Sequence, residues 1–428
     1  MSAPYLYRAW VAASMVLVPF FARAETRKLR DQGIAIRRAH EKLGHATEDR
    51  SDTGPLIWLH AASVGESLSV LALITRMGLI LPRAQFLITS GTATSARLVG
   101  QRLPPRTVHQ FAPLDAPGTL KRFLRHWQPD AAIFVESELW PQMLRRTHAT
   151  GAAMALVNAR MSDKSVATWQ KWPRAARYLF EVFDLILTQN DAMAQNMIIM
   201  HAPADRVARG INLKSMAGPL PVDEDALFEA RAALGRRPVW IASSTHEGEE
   251  PAVLRAHASL LKRFPDLCLI LAPRHPERGD TVAGLIADAG LTCQRRSTGD
   301  AAGGQVYLAD TLGELGLWYA LADIVFLGGS LLPIGGHNPF EVAQSGAAVL
   351  SGNHVAAFAE TYAQLETLGA ARIVADGDDL TAMVAALLDD PDRLAAMTSA
   401  AKAFVEGQDD QLDEIAARLI KALRLEKT

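Results

Sequence analysis

The sequence predicts an α/β protein built from two doubly wound, Rossmann-like domains in tandem, preceded by an apolar N-terminal segment. Three observations carry this. Short runs, several of them apolar at every position, alternate with stretches of helical length, as expected when helices cover both faces of a parallel sheet. The alternation occurs twice, interrupted at 210–223 by Gly210, Gly218, Pro219 and Pro221, which read as a linker. At 428 residues the chain also exceeds what one core usually covers.

Residues 1–23 differ in kind. Positions 10–22 are almost wholly apolar, with Tyr5, Tyr7 and Trp10 on one flank and Arg23, Arg27, Lys28, Arg30, Arg37 and Arg38 on the other. A spanning helix needs about 20 apolar residues, so this shorter run either crosses the bilayer or lies on it. Positive charge follows the apolar run instead of preceding it, the reverse of a signal peptide. The segment reads as a membrane anchor, with a helix packed on the protein as the alternative. The positive-inside rule places the basic cluster, and the bulk of the chain, in the cytoplasm.

In the first series, strands are expected at 56–60, 85–89, 108–112, 131–135, 153–158 and 184–188. Helices are expected near 66–80, 93–102, 117–127, 138–147, 165–180 and 190–200. The second series has strands at 239–242, 267–272, 306–309, 324–327, 347–350 and 371–374. Helices near 378–388, 390–405 and 409–425 close the chain. The expected divisions are 1–50, 51–211, 212–408 and a last helix at 409–428 that can cross back to the first domain. Two such domains on one linker imply a cleft.

A net charge of −2 gives no overall attraction to polyanions, so nucleic acid is not an expected partner. Cys268 and Cys293 have no metal-site spacing. Cys268 sits in a probable core strand, which suits a small buried thiol in a reducing compartment.

Four stretches at strand ends could hold chemistry, because ligands of open α/β sheets bind there. The first is His60-Ala61-Ala62-Ser63-Val64-Gly65-Glu66, a strand, a tight turn and a helix start. Glu66 either titrates near an acceptor hydroxyl or complements the helix dipole as a first-turn acid, an effect of about 0.3–1 kcal/mol. In the second, Glu136-Ser137-Glu138-Leu139-Trp140-Pro141, alternate positions could aim two carboxylates toward the cleft, or both could simply enrich a helix N-terminus.

The third is a pair. Ser243, Ser244, Thr245 and His246 precede a helix and offer hydroxyl and backbone donors for an anion. Arg274, in Pro273-Arg274-His275-Pro276-Glu277-Arg278, brings a bidentate donor suited to phosphate or carboxylate, or a surface charge. In the fourth, Gly328-Gly329 and Gly335-Gly336 flank a loop leading to His337-Asn338-Pro339-Phe340-Glu341. Paired glycines permit close backbone approach to a ligand, and Glu341 could accept from a ribose. This is neither a dinucleotide fingerprint nor a Walker loop. His60, His246, His275 and His337 form no H-E-x-x-H pair, so hydrogen bonding in the site is expected of them in preference to metal ligation.

Together these stretches, with Asn158-Ala159-Arg160 and Thr311-Leu312-Gly313-Glu314-Leu315, resemble the Kdo transferase family over nearly the whole chain. That family moves 3-deoxy-D-manno-octulosonic acid (Kdo) from CMP-Kdo onto the lipid A precursor. The resemblance implies the GT-B architecture, two Rossmann-like domains across a cleft, with the acceptor on the N-terminal side and CMP-Kdo on the C-terminal side. It implies an inverting reaction with no metal and no cofactor, at the cytoplasmic face of the inner membrane, whose lipids would be partners. By resemblance Glu66 is the general base, and Glu136 and Lys214 stabilise the transition state. CMP would lie against Pro273, Arg274, Leu312, Gly313, Glu314, Asn338, Pro339, Phe340 and Glu341. Ser63, Gly65, Glu138, Ser244, Thr245, His246, Gly336 and His337 would support the site.

The chain departs from the family pattern at Ser215-Met216, where an aromatic and an Asp are common, and at Ser351-Gly352, where Gly-Pro is usual. The alternatives are another GT-B enzyme, acting on a UDP-sugar as a lipid glycosyltransferase or an epimerase, or a non-catalytic membrane-bound sugar-nucleotide-binding protein.

Overall fold

The computed structural model describes residues 3–51, 54–213 and 220–426. Among these the chain divides into two compact units. One holds the residues up to Leu213 together with those from Asp410 onward, and the other runs from Leu220 to Asp409.

The first unit carries β1 (Leu56–His60), β2 (Gln85–Ser90), β3 (Thr107–Phe111), β4 (Ala131–Val135), β5 (Ala153–Ala159), β6 (Leu185–Thr188) and β7 (Val207–Arg209). They form one parallel sheet in the order β3-β2-β1-β4-β5-β6-β7. The chain winds outward from β1 to β3, then returns to β1's other side at β4. The carboxyl ends of β1 and β4 therefore form the topological switch point, where loops on either side part. Side-chain alternation covers both faces: Ile57 and Leu59 enter one core, Leu56 and Trp58 the other.

The second unit repeats the plan with β8 (Val239–Thr245), β9 (Cys268–Pro273), β10 (Cys293–Arg295), β11 (Val306–Leu308), β12 (Ile324–Leu327), β13 (Ala348–Ser351) and β14 (Ala371–Ile373). Their order is β10-β11-β9-β8-β12-β13-β14, all neighbours parallel. Here the switch point lies between β8 and β12. Cys268 is fully buried in β9, and burial pushes its thiol up to about 11.

Three helical expectations change. The stretch 66–80 is two helices, Val64–Ser69 and Leu71–Ile80, and 165–180 divides into Asp163–Gln170 and Pro173–Phe180. Pro173 explains the second break, since proline lacks the N–H to continue a helix but suits its first turn. Conversely, 390–405 and 409–425 form one helix, Pro391–Ala422. Its early residues Ala401 and Phe404 pack in the second unit, and Leu412, Ile415 and Leu419 in the first.

The N-terminal helix Tyr5–Asp31 is long and apolar enough, by length and composition, to cross a membrane. It docks on the first unit along a narrow stripe. Trp10 Nε1 donates to Asp115 Oδ2 (2.6 Å), and Gln142 Nε2 donates to Ser14 Oγ (2.6 Å). Buried Asp115 also accepts from the N–H of Met143 (2.6 Å), capping the helix Pro141–His148. Elsewhere Met15, Val16, Phe20 and Phe21 stay exposed.

Candidate active site

At the first switch point, Ser63 is the N-cap of the helix Val64–Ser69, and Glu66 stands three residues on. The backbone N–H of Glu66 donates to Ser63 Oγ (3.2 Å), while the Ser63 hydroxyl donates to Glu66 Oε1 (2.7 Å). The N–H of Ala62 donates to Oε2 (2.9 Å). This is a variant of the capping box in which the carboxylate accepts from the residue before the N-cap, and it fixes the carboxylate against the turn. Gly65, in the same helical turn, is exposed. Glu66 is half-buried. Burial raises its pKa against the Ser63 hydrogen bond, and the nearby Glu138 and Glu136 carboxylates raise it further. It is thus both a capping acid and a member of a three-carboxylate cluster.

Glu138 is held differently. His60 Nε2 lies 3.3 Å from Glu138 Oε2, and Trp140 Nε1 donates to the same oxygen (2.5 Å). Behind His60, the Thr89 hydroxyl accepts from Trp58 Nε1 (2.9 Å) and lies 3.0 Å from His60 Nδ1. His60 thus stands between the Thr89 hydroxyl and the Glu138 carboxylate. Burial would raise the Glu138 carboxyl, but the His60 and Trp140 contacts outweigh it and lower it. Two neighbouring acids are therefore pushed in opposite directions, the pattern expected where one is to take a proton and the other to stay charged.

Glu136 is buried with φ at 55°, in the left-handed region that non-glycine residues avoid. Asn158, at the end of β5, shares that conformation with φ at 54°. Asn158 Nδ2 donates to Glu136 Oε1 (3.3 Å), and its Oδ1 accepts from the N–H of Leu213 (3.2 Å). Asn158 thereby ties Glu136 to the segment leading into Lys214. Lys214 itself, with Ser215 and Met216, lies outside the described residues. Neither Glu136 nor Glu138 falls in the first turn of the helix Pro141–His148. Enrichment of a helix start does not account for them.

In the second unit β8 ends in a bulge, with Ser244 at φ 53° and a register shift between Ser243 and Thr245. Thr245 is fully buried, and its hydroxyl has no hydrogen-bond partner. His246 and His337 meet with Nε2 atoms 2.9 Å apart and rings stacked at 5.2 Å, and His275 packs edge-on to His246 at 5.7 Å. Burial, then His246 and Arg274, lower the His337 pKa to about 4. His246 is lowered as well, by burial first and then by His275 and Arg274 against the opposing pull of Glu249. The Arg274 side chain is exposed beside them. The cluster gathers three imidazoles and a guanidinium at the carboxyl end of β8 and β9.

The glycines permit this close packing. A Cβ on Gly329 would stand 2.9 Å from the His337 ring, and one on Gly336, at φ 79°, 3.0 Å from Val355 Cα. Glu249 organises the loop between them. This fully buried carboxylate accepts from the N–H groups of His246 (2.9 Å), Gly329 (2.6 Å), Ser330 (2.9 Å) and Leu331 (2.9 Å). Sequence reasoning gave Glu249 no role. Its spacing, three residues after His246 at a strand-to-helix turn, is the signal that could have found it.

The remaining candidates sit around this loop or on the neighbouring one. Pro273 ends β9, and the N–H of Arg274 donates to the Thr245 carbonyl (2.9 Å), joining the two strand ends. Asn338 Oδ1 accepts from the N–H of Phe340 (3.1 Å), Pro339 is the N-cap of the short helix Phe340–Gln344, and Glu341 is half-buried in its first turn. The Phe340 ring is buried against Phe404, so only its backbone is near the surface of the site. Leu312 is exposed, Gly313 has φ at 86°, and the Glu314 carboxylate is engaged by Arg296 (2.6 Å) and by the Thr311 hydroxyl.

Residues 37–217 match the model of a family described as 3-deoxy-D-manno-octulosonic-acid transferase (kdotransferase). The 3-deoxy-D-manno-octulosonic acid transferase of Rickettsia felis is 34% identical over 372 residues, covering 86% of this chain and 79% of that protein. The chain belongs to the Kdo transferase family. A plant relative, the probable mitochondrial 3-deoxy-D-manno-octulosonic acid transferase of Arabidopsis thaliana, is 32% identical over 378 residues, with 86% of this chain and 84% of that one covered. Among solved structures, a putative UDP-N-acetylglucosamine 2-epimerase from Listeria monocytogenes shares the fold, with a TM-score of 0.60, 12% identity, and 88% and 98% of the two chains covered. Two parallel Rossmann-like sheets and these likenesses identify the GT-B class.

At Ser351-Gly352, where the resemblance leads one to expect Gly-Pro, the structure shows what this pair does. The Gly352 N–H donates to Ser330 Oγ (2.8 Å), and a Cβ at 352 would lie 2.2 Å from the Ser330 carbonyl oxygen. Here the loop closes over the Glu249-bound turn so tightly that only glycine fits. A proline would bring a ring and remove the donor.

Proposed function

We propose that the protein transfers Kdo from CMP-Kdo to a lipid A precursor at the cytoplasmic face of the inner membrane, with inversion and without a metal. The observation that carries this reading is Glu66, oriented by Ser63 and raised in pKa beside Glu136 and Glu138 at a sheet switch point. The acceptor oxygen bonds to the anomeric carbon of Kdo as the bond from that carbon to the phosphate oxygen breaks. CMP leaves with the electron pair, and Glu66 takes the acceptor's proton. Glu138, held charged by His60 and Trp140, and Glu136 beside it favour the positive charge that develops on the sugar, and Lys214 is proposed to meet an anionic group of the donor. In the second unit, Arg274, the histidines and the loop after β12 would hold the phosphate, with Glu341 on the ribose. The test is incubation with CMP-Kdo generated in situ and lipid A precursor, products resolved by mass. CMP should compete at the second unit and UDP should not. Reversed preference, or no Kdo adduct, would refute the proposal.

A phosphate beside His246 and His337 restores the favour for protonation that burial and Arg274 remove. The histidine pKa values then rise on binding, so CMP binding takes up protons. Its affinity should increase as pH falls through the ordinary value of 6.5 toward the lowered His337 value of about 4. Titration calorimetry in two buffers of different ionisation enthalpy measures the uptake directly. Proton release on binding would contradict the placement.

The N-terminal helix bears on the acceptor. Its basic end attracts anionic headgroups by about 1 kcal/mol per residue near the surface. Deleting residues 1–23 is expected to reduce transfer to membrane-embedded acceptor by tenfold or more while leaving CMP affinity in place. Because deletion also removes Trp10 and Ser14 from Asp115 and Gln142, both assays should be run below the truncated chain's unfolding temperature. Equal loss of both functions would count against the anchor.

A further inference from the structure

We propose that a cavity of about 260 Å³ beside the N-terminal helix seats an acyl chain of the lipid acceptor, an assignment resting on the lipid-acceptor reading above. Tyr7 and Trp10 of that helix form one wall, Pro141 another, and Trp169, Trp172 and Tyr178 are the main aromatics of the rest. Tyr7 and Tyr178 close edge-to-face at 5.2 Å, and the Arg145 guanidinium covers the Tyr178 ring at 3.8 Å. The Trp10 indole N–H is already used by Asp115. The space therefore presents carbon almost everywhere, and a polar ligand would lose its water without finding partners. Its volume is just below the roughly 300–1,000 Å³ of sites for whole small molecules, a size for part of a chain and not for a head group.

Two features select an acyl chain as occupant. The wall formed by Tyr7 and Trp10 belongs to the helix whose outward residues Met15, Val16, Phe20 and Phe21 are exposed and apolar, so the cavity adjoins the surface a bilayer would cover. Trp and Tyr are the residues that prefer that boundary. The second feature is continuity with the acids. Pro141 directly follows Trp140, whose indole N–H is bonded to Glu138, and Glu138 is close enough to Glu66 to shift its titration. The cavity wall and the acids are thus joined through the consecutive residues Trp140 and Pro141.

Filling the cavity tests this. Ala175→Phe adds a ring inside it, and Thr168→Phe does so from the exposed rim, where folding is not at stake. With acylated acceptor in mixed micelles, each variant is expected to raise KM about tenfold, equivalent to excluding roughly two methylenes. With the deacylated, water-soluble head group, KM should match wild type. Equal effects on both acceptors, or none, overturn the proposal.

A second readout needs no turnover. The full chain, in membranes containing a photoreactive diazirine fatty acid, should be labelled within 168–179. That label should be lost in Ala175→Phe while label within 15–21 persists. Label confined to 15–21, with transfer intact, overturns the cavity and spares the function. Label within 168–179, with no transfer to acylated acceptor by wild type, refutes the acceptor as occupant together with the function.

Discussion

Replacing Glu66 by Gln is expected to lower turnover by about 10²–10⁴-fold, the usual contribution of a positioned general base, while raising thermal stability. The two effects share a cause. Burial, together with Glu138 and Glu136, raises the Glu66 pKa in the folded protein above its ordinary 4.5. A carboxyl whose folded pKa is raised contributes stability below its unfolded value, and that contribution is lost as pH rises through the folded value. The wild type and Glu66→Gln should therefore unfold at similar temperatures at acid pH and diverge toward neutrality, with the variant higher. Gln keeps an oxygen to accept from Ser63 or Ala62, so the cap is largely preserved. Melting curves at several pH values, paired with product formation by mass, check both halves. Unchanged turnover would remove Glu66 as the general base, and a lower melting temperature at neutral pH would show that the cap matters more than the repulsion.

Glu249→Ala is expected to be the most damaging single substitution in the second unit. It strands four backbone N–H groups, on His246, Gly329, Ser330 and Leu331, at a fully buried position. Leaving one buried donor unpaired costs about 1–3 kcal/mol, so even with partial relaxation the total should exceed about 4 kcal/mol. For a unit of this size that is a fall of roughly 10 °C in melting temperature. The same loop presents Gly329 to His337 and bonds Gly352 through Ser330, so CMP binding should weaken even where the chain remains folded. Glu249→Gln retains one acceptor oxygen and should fall between. A Glu249→Ala variant that melts like wild type would show that the loop is held by something else.

The elements legible in the sequence were those with an apolar run. β1, β4 and β9 were found because every residue is buried, and the repeated rhythm implied two sheets. β7 and β10 escaped because Val207-Ala208-Arg209 and Cys293-Gln294-Arg295 are three-residue edge strands with too little apolar character to stand out. The Pro391–Ala422 helix looked like two because Gly407 and Gln408 interrupt its pattern, and the interruption falls where its apolar face passes from one unit's core to the other's.

Within the site, the Ser63-to-Glu66 spacing is local and could be read directly. The His60 partnership with Glu138, and that of Asn158 with Glu136, join strand ends far apart in sequence. Only the strand order β1-β4-β5 brings them together. Chemistry at a helix start is written in consecutive residues, whereas chemistry between strands is written in topology.

The left-handed backbones of Glu136, Asn158 and Ser244 bear on how related chains can drift. Each conformation is one that glycine adopts freely, and that a β-branched residue resists by about 1–3 kcal/mol. Once selection on activity relaxes, the easiest replacement at these three positions is the residue with no side chain at all. If Glu136 holds the role proposed for it, a homologous gene carrying glycine in its place marks a protein that has kept its loop and abandoned its reaction, a diagnosis available before any assay.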